Sequence, residues 1–250
     1  MRVVLKIGGS VLGALGTSAT WLQELHRLLD EGHQCLLVHG GGAVISQTLA
    51  AVGEPVQFVD GQRVTTAAGL VAVVRVLCGE VNKDLVAWLT AERIAAVGIS
   101  GADGSLLTAV PFSAELDRVG RIVAVDATLL KTLWQAGFVP VVAPVAADGA
   151  GGLLNCNGDY AAAEVAGGVE AHALVFYTDS GGLRQVAADA GTIAPRVARA
   201  EIGQWIDSGR ASAGMIPKLR AAARALESGV GRVRIGTFFD QAGQSTEFYG

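Results

Sequence analysis

Along this chain, short runs rich in Val, Leu and Ile alternate with longer stretches in which apolar residues recur every three or four positions. The first run, Arg2–Ile7, predicts a strand. Ser18 then caps a predicted helix with Leu22, Leu25, Leu28 and Leu29 at helical spacing, and Gly32 supplies its stop. Cys35–His39 predicts a second strand, followed by three glycines and a helix to about Val52. The stretch EPVQFVDGQRV reads as a β-hairpin. Thr65 or Thr66 starts a long helical stretch to about Leu89, with a kink expected at Gly79. Ala95–Ile99 is a strand, and the segment from Leu106 to Asp126 holds short β runs around turns, the pattern of a second hairpin. A helix over Ala127–Gln135 and a strand over Val139–Ala143 follow. Beyond a glycine-rich turn at Asp148–Gly152 come a helix after Asp159, the strand ALVFYT, helices near Glu201–Ser208 and Ile216–Glu227, and a strand at Arg232–Gly236.

Strands separated by helices imply right-handed crossovers, and so an α/β three-layer sandwich around a largely parallel sheet. Such sheets bind ligands beyond the carboxyl ends of their strands. Glycines collect at those ends: Gly8-Gly9-Ser10, Gly40-Gly41-Gly42, Ser100-Gly101 and Asp179-Ser180-Gly181-Gly182. Glycine clusters leave backbone N–H groups open to an anion, and the amino-terminus of the following helix adds a favourable dipole. Four of them describe a site for a heavily anionic ligand, with a nucleoside triphosphate as the default.

Composition narrows the classes. Of 250 residues, 51% are hydrophobic and 17% charged, enough for a sizeable core and against disorder. Net charge is −4 with the basic residues scattered, which argues against a nucleic-acid surface. Apolar runs such as Gly137–Ala147 fall far short of the roughly 20 residues of a membrane helix. Lys6 interrupts the amino-terminal apolar stretch and no cleavage site follows, so a cytoplasmic protein is expected. The three cysteines, Cys35, Cys78 and Cys156, form no CxxC pair and fit reduced thiols better than disulfides or zinc.

Several side chains carry candidate chemistry, each beside a plainer alternative. Lys6, two residues before Gly8-Gly9, can place its ammonium among phosphate oxygens, or it is a snorkelling edge-strand lysine. Lys218 follows Pro217 at a helix amino-terminus, where a cation is misplaced against the macrodipole unless an anion neutralises it; otherwise it is a solvated surface lysine. Two lysines converging on one phosphoryl group, one from each half, supply the charge stabilisation that phosphoryl transfer needs. Arg63, just beyond the first hairpin, suits bidentate carboxylate recognition. Asn155, Asn157 and Asp159 alternate, so in an extended segment they share one face, while Asp159 alone reads as a helix N-cap. His39 reads as a packed strand-end residue rather than a base, and Asp103-Gly104 as a turn.

The motifs KIGGS, LVHGGG, FVDGQRVT, EVNKDLV, GISGADG, NCNGD, YTDSGGL and GMIPKL together resemble the amino-acid kinase family, and within it the acetylglutamate kinases, over nearly the whole chain to about Gly236. The resemblance implies the carbamate-kinase-like amino-acid kinase fold. It implies a single domain with an acetylglutamate-binding lobe over about 1–155 and an ATP-binding lobe over about 156–250. The activity implied is ATP-dependent phosphorylation of the γ-carboxylate of N-acetyl-L-glutamate, a step of arginine biosynthesis. By matched motif, Lys6 and Lys218 act on the transition state and Asp159 orients both, while Gly41, Gly42, Arg63 and Asn155 hold acetylglutamate. Gly8, Gly9, Asp179, Ser180, Gly181, Gly182, Leu183, Arg184, Arg210, Ala211 and Ser212 line the nucleotide site. Mg2+ rides mainly on the ATP phosphates, with no metal ligands of the protein's own. A carboxylate is already a nucleophile at neutral pH, so catalysis reduces to positioning and charge neutralisation.

The chain starts directly on its first strand, whereas relatives that arginine inhibits carry an added amino-terminal helix. The resemblance therefore implies a homodimer without arginine feedback. The helix after Thr66 has apolar residues on more than one face, which suits burial against a partner as well as the sheet. Two rival activities remain. One is a kinase of an α-aminoadipyl group on an acidic carrier protein, for which Thr108–Asp126 offers only Arg118 and Arg121 against Glu115, Asp117 and Asp126. The other is a non-catalytic nucleotide-binding protein on the same fold.

Overall fold

The structure, a computed structural model, describes residues 1–9, 20–178, 181–185, 192–211, 214–239 and 243–250. In chain order its elements begin with β1 (Arg2–Ile7), α1 (Thr20–Asp30), β2 (Gln34–His39), α2 (Gly42–Ala51), β3 (Phe58–Val59) and β4 (Gln62–Arg63). Then come α3 (Ala67–Val74), a π-helical stretch (Arg75–Val81), α4 (Asn82–Ala91), β5 (Ala96–Ser100), β6 (Leu107–Pro111), β7 (Val119–Val125), α5 (Thr128–Gln135) and β8 (Val139–Ala143). The remainder is β9 (Val145–Ala147), β10 (Leu153–Cys156), α6 (Gly158–Gly168), β11 (Ala173–Tyr177), β12 (Arg196–Ala198), α7 (Ile202–Asp207), α8 (Ile216–Glu227), β13 (Arg232–Ile235) and β14 (Thr246–Tyr249). The predicted alternation holds. β9, β12 and β14 were not expected; strands of three or four residues carry too little periodicity to stand out.

By packing, the chain divides into two compact units, Met1–Cys35 with Ala162–Gly250, and Leu36–Ala161. The first strand thus belongs with the carboxyl-terminal part of the chain. Within that unit the strand order is β12-β14-β13-β11-β1. β1, β11 and β13 are parallel, and β14 runs antiparallel to β13. Val3, Val4, Leu5 and Ile7 are wholly buried on both faces of the strand, the burial expected of a parallel strand covered on both sides, with Lys6 the one polar residue among them. α8 packs against β13, the strand that follows it. Its amino-terminus therefore stands at the edge where β13 ends, which is also the edge where β1 reaches Gly8-Gly9.

α1 meets the core along Trp21, Leu25 and Leu28, with Leu22 and Leu29 half-buried at the margins. Glu24 is buried on the same face. Its carboxylate accepts the backbone N–H groups of Phe238 and Phe239, each at 2.9 Å, and the Tyr177 hydroxyl. Burial first, and Glu24 second, push the Tyr177 phenol well above its ordinary pKa.

In the unit Leu36–Ala161, β2, β8 and β5 form a parallel run. β10, β7, β6 and β9 close into a small barrel, in which the predicted second hairpin supplies β6 and β7. The first hairpin turns at Asp60-Gly61, both with positive φ (49° and 77°), the geometry of a two-residue turn. Thr66 caps α3 by accepting the Gly69 N–H at 2.9 Å. The kink expected at Gly79 is instead a stretch of π-helix.

Candidate functional site

A cavity of about 150 Å3 opens at the carboxyl end of β2, lined among others by Gly40, Gly41, Gly42, Gln62, Arg63 and Asn155. Gly41 has φ −176°, extended backbone that any residue adopts, so space decides here. A Cβ at Gly41 would lie 2.9 Å from Leu77 Cδ2, whereas one at Gly42 meets nothing within 4 Å. No side chain caps α2 at Gly41. The first-turn N–H groups of α2 therefore suit an anion.

Arg63 is 8% exposed. Its Nη2 donates to Gly42 O at 2.9 Å and to Ser46 Oγ at 2.7 Å, and its guanidinium lies 4.6 Å from the centre of the Phe58 ring. Nη1 is buried without a hydrogen-bond partner. Burial pulls the guanidinium pKa below its ordinary value, so a carboxylate ligand both fills the open donor and stabilises the charge. Asn155 Nδ2 donates to Thr65 Oγ1 at 3.0 Å, and that hydroxyl donates to Arg63 O at 3.0 Å, which ties β10 to the arginine's backbone.

Asn155, Asn157 and Asp159 do not share an extended segment. The strand ends at Cys156, and Asn157 caps α6, its Oδ1 accepting the N–H groups of Asp159 at 2.8 Å and Tyr160 at 3.3 Å. Asp159, 5% exposed, sits in the first helical turn and is not the cap.

His39 behaves as a packed residue, wholly buried. Asn82 Nδ2 lies 3.1 Å from its Nε2 and donates to Val141 O at 3.0 Å. An amide nitrogen can only donate, so Nε2 accepts, the proton sits on Nδ1, and Nδ1 donates to Gly40 O at 2.9 Å. This relay fixes the first glycine of the cavity. Sequence reasoning passed over Asn82, although Val81, Asn82, Leu85 and Leu89 make a buried stripe at helical spacing that contains one polar residue.

The remaining candidates lie in the other unit. Lys6 is 6% exposed near the end of β1, opposite Phe176 of β11. The edge-strand alternative fails, because β1 has β11 on one side and Gln34 N–H donating to Met1 O on the other. Lys218, half-buried in the first turn of α8, donates to Gly214 O at 3.3 Å. Lys6 and Lys218 were expected from different halves; both belong to one unit, because β1 pairs with β11.

Gly8 and Gly9 are half-buried after β1. Gly182 N–H donates to Gln244 O and Leu183 N–H to Thr246 Oγ1, so both amides are already engaged, and the Leu183 side chain is buried. A Cβ at Gly182 would lie 2.5 Å from Thr246 Oγ1, so close approach of chains is what requires this glycine. Gly181 has φ +70°, the left-handed region that favours glycine. Arg184 bridges to Ile193, Arg210 is exposed over the Trp205 ring, and Ala211 is buried. Asp179, Ser180 and Ser212 lie outside the described residues.

The model of the amino acid kinase family matches residues 1–237. The chain belongs to the amino-acid kinase family. This amino-acid kinase is 38% identical over 242 residues to an acetylglutamate kinase of Symbiobacterium thermophilum, covering 93% of this chain and 83% of the relative. It is 42% identical to that of Rubrobacter xylanophilus, covering 91% and 86%. Among solved structures it is similar to smu.665 from Streptococcus mutans, with a TM-score of 0.88, 26% identity and coverage of 99% and 98%. It also resembles an N-acetylglutamate synthase from Neisseria gonorrhoeae complexed with coenzyme A and N-acetyl-glutamate. There the TM-score is 0.83 at 26% identity, with 100% of this chain matched to 59% of that one. Giardia carbamate kinase, at 15% identity and a TM-score of 0.62 over 99% and 98%, shares the fold.

Proposed function

We propose that this kinase transfers the γ-phosphoryl group of ATP to the γ-carboxylate of N-acetyl-L-glutamate, a step of arginine biosynthesis. The observation that carries the reading is the cavity: Arg63 Nη1, a buried donor without a partner, beside the uncapped amino-terminus of α2. That arrangement calls for a small ligand with carboxylates, and the curated relatives are acetylglutamate kinases at 38% and 42% identity over most of their length.

Each group then has a role. Arg63 and Asn155 hold the substrate, and the Gly41-Gly42 backbone faces its carboxylate. Lys6 and Lys218 neutralise charge on the transferring phosphoryl, and Asp159, buried in the first turn of α6, is assigned to the catalytic set by its matched motif. The unit Leu36–Ala161 takes acetylglutamate and the other takes ATP, through Gly8-Gly9, Asp179–Arg184 and Arg210–Ser212. Mg2+ is assigned to the oxygens of the ATP phosphates. Among the described residues no helix is long and apolar enough to cross a membrane, and the assigned place of action is the cytoplasm. A homodimer is supported by α3, where Val71 is 51% exposed and Leu70 and Val74 are half-buried; light scattering at the dimer mass is expected, and a monomer removes that part of the proposal.

The deciding experiment measures ADP release with acetylglutamate, glutamate, aspartate and carrier-bound aminoadipate. Turnover dependent on acetylglutamate is expected, and Arg63→Ala raises its KM while leaving that of ATP nearly unchanged. Preference for the carrier-bound substrate, or no turnover at all, overturns the proposal.

A further inference from the structure

The same cavity holds a second unpartnered group. Gln62, next to Arg63 in β4, lines it and is 5% exposed. Its Oε1 is buried without a hydrogen-bond partner. Buried polar atoms nearly always have partners, and an orphan costs stability that an apolar residue of similar size would not. A leucine would fit a buried place of this size, so the glutamine calls for an explanation beyond packing.

Two unpartnered atoms on consecutive residues therefore characterise the cavity, a donor (Arg63 Nη1) and an acceptor (Gln62 Oε1). Acetylglutamate at neutral pH carries two carboxylates and an acetyl carbonyl, all acceptors, and one donor, the amide N–H. The guanidinium matches a carboxylate. The glutamine oxygen matches the only donor the substrate has. Resting on the reading of this cavity as the acetylglutamate site, we propose that Gln62 is a specificity-determining residue whose Oε1 accepts the substrate's amide N–H. Its placement is rigid: the Asp60-Gly61 turn precedes it directly, and the backbone pairs it with Val59.

The test replaces the N–H by an ester oxygen. ADP release by the full chain is measured with N-acetyl-L-glutamate and with 2-acetoxyglutarate of the same configuration, for the wild type, Gln62→Leu and Gln62→Met. Loss of a buried hydrogen bond sets the expected wild-type preference for the amide, in kcat/KM, at roughly tenfold or more. In both variants the preference falls towards one, through loss of rate with the amide and little change with the ester. Thermal melting stays level or rises, because an orphan polar atom has gone; a structural role would lower it. An equal preference in the wild type and a folded variant overturns the assignment of Gln62, as does a wild type that treats amide and ester alike. A wild type with no acetylglutamate-dependent turnover overturns the reading of the cavity, and this assignment with it.

Discussion

Replacing Asn82 by alanine tests whether the relay behind the cavity is as tightly determined as its geometry implies. The side chain is 1% exposed, so water cannot stand in for it. Removal deprives His39 Nε2 and Val141 O of a donor, and the 3.4 Å contact with Ile99 O adds little. A buried acceptor left without a partner costs about 1–3 kcal/mol. Val141 lies in β8 between β2 and β5, so the ladder partly serves its carbonyl and the lower end applies there. The histidine cannot escape by moving its proton, since Nδ1 would then turn a lone pair towards Gly40 O. Together the loss comes to about 2–4 kcal/mol, a large part of a typical folding stability of about 5–15 kcal/mol.

Urea unfolding should therefore show the midpoint of Asn82→Ala lowered by about 1 M with an unchanged slope. Because the relay ends on Gly40, the KM for acetylglutamate should rise as well, with that for ATP little changed. A wild-type midpoint for Asn82→Ala would refute the reasoning. So would destabilisation with an unaltered KM, which would sever the relay from the site.

Other outcomes follow from the same structure. Lys6→Ala and Lys218→Ala should each lower turnover by roughly a hundredfold or more at saturating substrates, the scale for losing one electrostatic stabiliser; wild-type turnover in either returns that lysine to a structural role. Asp159→Asn should melt with the wild type, because Asn157 does the capping, and yet be slow; a normal rate removes Asp159 from the chemistry. Burial pushes the Cys35 and Cys156 thiols up to about 12 and Cys78 up to about 11, against 9.0 unfolded. The unfolded chain thus releases these protons first, so stability is intact below pH 9.0 and is lost as pH rises from there towards about 12. Urea midpoints across that window should fall, and Cys35→Ala should flatten the fall.

What the sequence reveals depends on whether a residue's task is periodic or positional. β1, β2, β8 and β11 stand out because strands buried on both faces are largely apolar runs, broken in β1 by Lys6, and the turn at Asp60-Gly61 because two successive positive φ values select Asp-Gly. Arg63 is singled out by residue type, since a guanidinium suits a carboxylate, whereas its bonds to Gly42 O and Ser46 Oγ are positional and leave no mark in the sequence. Asn157 and Asp159 are misread for the opposite reason. Either residue type caps a helix well, and only the end of β10 at Cys156 decides that Asn157 does so. The assignment of Lys6 and Lys218 to opposite halves fails because sequence order is not spatial order, and a parallel sheet draws its first strand in beside β11.

Glu24 shows where legibility ends. On the helical pattern Trp21, Glu24, Leu25 and Leu28 it reads as a carboxylate at the margin of an apolar stripe, which ordinarily reaches out to solvent. Its partners are two backbone amides more than 200 residues away, at Phe238 and Phe239, and a tyrosine hydroxyl at the end of β11. None of the three carries a compositional signature of accepting a carboxylate. The same holds for Asn82 and Gln62, one satisfied by a histidine and a carbonyl from other elements and one satisfied by nothing in the protein. Hydrophobic spacing encodes which face of an element turns inward, because burial is non-directional and many residues serve equally. Hydrogen bonding is directional and pairs particular atoms, so a buried polar residue can be found by its breach of the apolar pattern but explained only by its neighbours in space. A polar residue within an apolar stripe is thus the sequence mark worth pursuing. In this kinase two of them, Glu24 and Asn82, lead respectively to a clamp on the carboxyl-terminal segment and to the relay behind the glycine loop, whereas Gln62, set between Gly61 and Arg63, breaks no such stripe and is marked only by its unpartnered oxygen.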